Sequence, residues 1–120
     1  MNEALAHLFE ECTVAPGALG CGTRLPDRTC LVRSYAPSCT AEALEKSLHH
    51  LADATSLFAG HGLASNLLAW TFATGRLYVA ARPDGALFVL VTRANVDAGE
   101  FFSEVAGRFF MLANNNHSEL

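Results

Sequence analysis

Long apolar runs are missing from this chain of 120 residues. No segment approaches the roughly eighteen uninterrupted apolar residues of a membrane-spanning helix, so no membrane insertion is expected. A basic excess is missing too. With 8 Lys and Arg against 12 Asp and Glu, and a formal net charge of -4, the chain has no positive field to gather phosphates, and nucleic acid is not an expected partner. The opening "MNEALAHLFEEC" sets acids and a histidine where a secretory signal needs a basic start and an unbroken apolar run. The expectation is therefore a cytoplasmic protein, in which the four cysteines stand as free thiols and not as a disulfide framework.

Catalytic and ligand motifs are scarce as well. There is no G-x-x-x-x-G-K-S/T, no G-x-S-x-G, no H-E-x-x-H and no convincing pair of carboxylates on rigid strands, so neither a catalytic residue nor a cofactor is expected. Cys12, Cys21, Cys30 and Cys39 recur every nine residues, a spacing without the close C-x-x-C pairs that zinc sites use. They read as small buried hydrophobes, and no metal is expected. Cys21 and Cys30 flank the turn "LPD" and are candidates for a cross-strand disulfide under oxidation.

What is present is a core. Apolar residues make up 51% of the chain and charged residues 17%, with Gly and Pro gathered at turns, the balance of one soluble globular domain. Leu5, Leu8, Phe9 and Cys12 recur at helical spacing over Asn2 to Cys12. "ALGCGTR" and "TCLVRSYA" surround the "LPD" turn and read as a hairpin. From Thr40 to Ala59 Leu44, Leu48, Leu51, Thr55 and Phe58 mark a helix, with Thr40 as its cap, Glu42 at its positive end and "GHG" at residues 60–62 as its stop. "NLLAWTFAT", "RLYVAAR" and "ALFVLVTR" then form an antiparallel meander joined by "TG" and "PDG". Asp97 and Glu100 have the spacing of a helix start, followed by Phe101, Val105, Phe109 and Leu112 on one face. The order is α-β-β-α-β-β-β-α, an α+β domain with a five-stranded antiparallel sheet and helices on both faces. It spans residues 1–113, and 114–120 read as a flexible tail.

That order, carried by "GALGCGTRLPDRTCLVRS", the long second helix and "LLAWTFATGRLYVAARPDGALFVLVTR", resembles the roadblock family, the dynein light-chain type of domain with a profilin-like fold. The family pattern usually places an acidic residue with a glycine in the first hairpin turn, where this chain has "RLPDR". The resemblance implies a non-catalytic adaptor or regulator, dimeric, that binds a small Ras-like GTPase or a larger complex. Third strands would pair across a two-fold axis and second helices would pack together, placing Leu68, Trp70, Phe72, His49 and Asp53 at the dimer interface. The residues support a dimer independently: a strand over Leu67 to Thr74 carries Leu68, Trp70 and Phe72 on one face and no Lys, Glu or Pro to discourage pairing at an edge.

Two other readings stand beside the adaptor. One is a small-molecule sensor with a pocket lined by Trp70, Phe72, Tyr78 and Phe88; the other is a thiol or metal protein built on the four cysteines. His49 and His50 are adjacent and point about a hundred degrees apart on a helix, which does not suit one ion. His50 and Asp53 share a face, and His61 falls in a loop. Arg24, Arg28 and Arg33 cluster on the first hairpin, where they read first as solvated strand-end charges and second as contacts for an acidic partner surface; Arg76, Arg82 and Arg93, near the meander ends, carry the same two readings.

Overall fold

The computed structural model describes the backbone of residues 3–60 and 67–119 and the side chains of 3–55 and 67–112. Its elements follow the expected order: α1 (Glu3–Cys12), β1 (Ala18–Arg24), β2 (Cys30–Ser34), α2 (Ala41–Gly60), β3 (Leu67–Thr71), β4 (Arg76–Ala81), β5 (Leu87–Thr92) and α3 (Gly99–Glu119). The strands form one antiparallel sheet in the order β2-β1-β5-β4-β3. Consecutive hairpins make the two halves, and β1 joins β5 at the centre. This leaves β2 and β3 as the two edges.

Strand alternation divides the core between the sheet's two faces. Cys21, Tyr78, Ala80, Phe88 and Leu90 pack against Leu5, Leu8, Phe9 and Cys12 of α1 and against Phe102, Val105, Ala106 and Phe109 of α3. Phe88 is fully buried there, with its ring centroid 5.9 Å from that of Phe9, 6.3 Å from Phe102 and 5.4 Å from Phe109. Val79, Leu87 and Val89 point the other way, toward Leu48 and Ala52 of α2. α2 sits close because β1 has no side chains beneath it at two places. A Cβ on Gly20 would lie 3.0 Å from Leu44 Cδ1, and one on Gly22 would lie 3.2 Å from Leu48 Cδ1. Glycine is required at these positions by proximity.

Helix starts are satisfied as the sequence suggests, with one change. Thr40 Oγ1 accepts from Ala43 N at 3.1 Å, capping α2. At α3, Asp97 Oδ1 accepts from Gly99 N at 2.9 Å, and Ala98 N donates to the Tyr78 hydroxyl at 3.0 Å, so a tyrosine from β4 completes the cap. In α3 Phe102 fills the core, whereas Phe101 is only half-buried. The backbone of α3 is helical as far as Glu119, past the expected end at Leu112 and through residues 114–119 expected above as a tail; once a helix is nucleated, elongation gains one hydrogen bond for each residue fixed. His61 and Gly62 lie outside the described residues. Among the described residues no helix is long and apolar enough to cross a membrane.

The register corrects the pairing of Cys21 with Cys30. Cys21 faces Arg33 and Cys30 faces Arg24, so the two thiols are three rungs apart and on opposite faces of the sheet. All four cysteines are free. Arg82 is a second correction: it is not a solvated strand-end charge but is buried, its guanidinium 4.8 Å from the Phe109 ring centroid and bidentate on Asp84, Nε to Oδ1 at 3.1 Å and Nη2 to Oδ2 at 2.5 Å. That pair holds Asp84 below the ordinary carboxylate range.

Candidate protein interface

Among the described residues β3 is the last strand of the sheet and pairs with β4 alone. Phe72 N donates to Gly75 O at 2.7 Å, which fixes the hydrogen-bonding phase of the hairpin. By alternation Trp70 and Leu68 direct their backbone groups to β4, while Ala69 and Thr71 turn theirs outward. Ala69 and Thr71 are exposed, and no charged residue occurs between Leu67 and Thr71. Such an edge is open to another strand.

The side chains beside this edge are apolar. Leu68 and Trp70 lie half-buried against the α2-side core together with Leu51 and Leu77. Phe72, one residue beyond the strand, is 55% exposed, and Leu67 is 42% exposed. α2 lies chiefly over β1 and β2, so it leaves the β3 end of this face only partly covered. Asp53 is exposed on α2.

His49 is placed differently. It is half-buried and turned back on the first hairpin, where its Nδ1 accepts from Arg24 Nε at 3.1 Å. The ring proton therefore sits on Nε2, 3.6 Å from Cys30 Sγ. Cys30 is itself half-exposed, and its thiol is pushed up by burial, with Glu45 adding and Arg24 opposing. With the Nδ1 lone pair engaged by Arg24 and the ring proton on Nε2, neither nitrogen of His49 is free to coordinate in this arrangement, so the pair does not suit a cation. Among the described residues no three His, Cys, Asp or Glu side chains are placed to hold one metal ion. His50 and Asp53 are both exposed.

The pairing among the cysteines that the sequence did not reveal is between Cys12 at the end of α1 and Cys21 in β1. Both are fully buried. Tyr35 donates its hydroxyl to the Phe9 carbonyl at 2.9 Å, and Cys21 Sγ lies 3.1 Å from the same hydroxyl oxygen. Its hydrogen bond to Cys21, reinforced by burial, pushes the Cys12 thiol up. The hydrogen bond from Cys12, with Arg33 nearby, holds Cys21 down against its burial. The cluster ties α1 to the sheet.

The aromatic set does not converge on one cavity. Tyr78 and Phe88 are core residues of the α1 and α3 side, Trp70 lies on the α2 side, and Phe72 is exposed.

No protein-family model matches the sequence, and no curated protein matches it. Solved structures do resemble it. The gliding protein MglB from Thermus thermophilus is 20% identical with a TM-score of 0.73, over 94% of this chain and 90% of that one. MglB from Myxococcus xanthus is 10% identical with a TM-score of 0.73, over 96% and 93%. A Roadblock/LC7 domain from Streptomyces avermitilis is 15% identical with a TM-score of 0.56, over 94% of both chains. Likeness along nearly the whole chain, with the order and edges described above, gives this protein the roadblock-family fold.

Proposed function

We propose that this protein is a dimeric, non-catalytic adaptor or regulator that acts in the cytoplasm and binds a small Ras-like GTPase or a larger complex. The observation that carries the reading is the β3 edge, uncharged, open to pairing and flanked by Leu68, Trp70 and the exposed Phe72. A second copy pairing there across a two-fold axis would close the sheet edge and leave no further copy to recruit. Leu68, Trp70 and Phe72 would meet their counterparts, with Asp53 of α2 at the adjoining helix contact and His49 behind it, orienting Arg24 and the hairpin. An MglB of this fold with a tetrameric arrangement supports assembly as a property of such domains. The GTPase partner follows from the family resemblance.

Ala69→Pro tests the interface without touching the β3–β4 ladder, because the N–H it removes points outward. A two-fold interface loses two bonds of about 0.5–1.5 kcal/mol each, which weakens dimerisation roughly 5- to 150-fold. Unchanged dimerisation in sedimentation would place the interface elsewhere. The partner is tested by pull-down with purified Ras-like GTPases loaded with a GTP analogue or with GDP. Retention of a GTPase in one nucleotide state supports a regulator, and retention in both supports a scaffold. Retention of none overturns the GTPase assignment.

A further inference from the structure

The sheet has a second edge, and its chemistry is opposite to that of β3. Leu25 N donates to Thr29 O at 2.8 Å and Tyr35 N to Leu19 O at 2.9 Å, so the odd-numbered residues of β2 bond to β1. Cys30, Val32 and Ser34 therefore direct their N–H and C=O groups outward. Around this edge stand three arginines, Arg24, Arg28 and Arg33, against two acids, Asp27 of the turn and Glu45 of α2, whose charge reaches Cys30, in a chain whose net charge is -4. Asp27 is engaged locally, accepting from Thr29 N at 3.0 Å. Among the described residues none of the three arginines has a carboxylate at ion-pair distance.

The arginines are held in place. Arg33 lies with its guanidinium 5.5 Å from the Phe9 ring centroid, which fixes it on the α1 and α3 side of the edge. Arg24 is held by His49 on the other side. Arg28 is exposed at the tip with φ 75°, in the left-handed region, where an arginine stays at a conformational cost that glycine would not carry.

We propose that the β2 edge is a docking site for an extended acidic segment of a partner protein, which adds to the sheet as a sixth strand and is separate from the β3 interface. Backbone hydrogen bonds to Cys30, Val32 and Ser34 supply the pairing, and carboxylates opposite Arg33 and Arg28 set specificity. A second copy of this chain fits less well than an acidic segment, because self-pairing gathers the arginines of both copies along one seam. Polyanions such as nucleic acid are disfavoured by the net negative charge of the remainder of the chain.

The test is selection of random octapeptides displayed on phage against the full chain, followed by amide NMR of the chain with the synthesised winners. The expected winners carry Asp or Glu at alternate positions, shift the Cys30, Val32 and Ser34 amides and slow their hydrogen exchange. Ser34→Pro removes one outward N–H and is expected to weaken binding about tenfold, with its fold checked by circular dichroism. Arg33→Glu, which leaves the backbone intact, is expected to weaken acidic peptides at least tenfold and to reduce the salt dependence of their binding. No enrichment of acidic peptides, winners that map to β3, or equal binding by Arg33→Glu would each overturn the proposal.

Discussion

One substitution, glycine to alanine, is expected to act in opposite directions at two places in this chain. At Gly22 the added methyl carbon would sit 2.9 Å from Val32 Cγ1, 3.2 Å from the Leu31 carbonyl oxygen and 3.2 Å from Leu48 Cδ1. Val32 has a stiff χ1, the Leu31 oxygen is backbone, and Leu48 is fully buried, so none of the three neighbours yields cheaply. Overpacking of this kind costs about 1–3 kcal/mol. At Gly107, exposed on α3, nothing lies within 4 Å, and alanine gains about 0.5–1 kcal/mol of helix stability. With an unfolding entropy of about 2.1 cal/mol/K per residue, 1 kcal/mol corresponds to about 4 °C in this chain. Gly22→Ala should therefore lower Tm by about 4–12 °C and Gly107→Ala raise it by about 2–4 °C, read by differential scanning calorimetry. A Gly22→Ala protein that melts at or above the wild type would refute the close seating of α2 on β1.

Three further outcomes follow from buried and half-buried groups. Asp84→Asn removes the anion from a buried guanidinium and should cost about 1–3 kcal/mol in urea unfolding, discounted for the exposure of the carboxylate. Because Asp84 is held low in the fold, its contribution is present above its ordinary value of 3.8 and fades as pH falls below it; the variant should lose less stability than the wild type between neutral pH and about pH 3. With Cys12, Cys21 and Cys39 buried, an aromatic disulfide reagent should react quickly with one thiol per native chain, at a rate that rises toward alkaline pH, and Cys30→Ser should abolish that phase. Tyr35→Phe should cost about 0.5–1.5 kcal/mol by removing the bond to the Phe9 carbonyl, measured in the same unfolding titration.

Element order and type were legible because the chain's local patterns agree with its global fold. The Leu5, Leu8, Phe9, Cys12 stripe is buried as its spacing implies, and Leu44 and Leu48 face the sheet. Glycines in "TG" and "PDG" mark the meander turns, and Gly85 has φ 94°. Register was not legible. A two-residue alternation tells which residues share a face but not which rung they meet, so the hairpin pattern allows Cys21 opposite Cys30, whereas pairing with Arg33 and Arg24 separates them. Contacts between distant segments were equally silent: nothing in the sequence brings Cys12 to Cys21 or Ala98 to Tyr78. The burial of Arg82 left a trace, since an acid two residues later in "RPDG" can fold back on it, but the Phe109 ring that covers it comes from α3. Of the residues proposed for the interface, β3 was readable as an undefended edge from its lack of charge, whereas the inward turn of His49 depended on where Arg24 and Cys30 fell.

The central claim is that the uncharged β3 edge joins two copies of this chain. Solution mass by light scattering, with reductant present and then absent, tests it most directly. The account predicts twice the 12.8 kDa chain mass in both conditions, because strand and helix packing holds the pair and no thiol bridges it. A mass of one chain at micromolar concentration, or an assembly that dissociates when reductant is added, would contradict it.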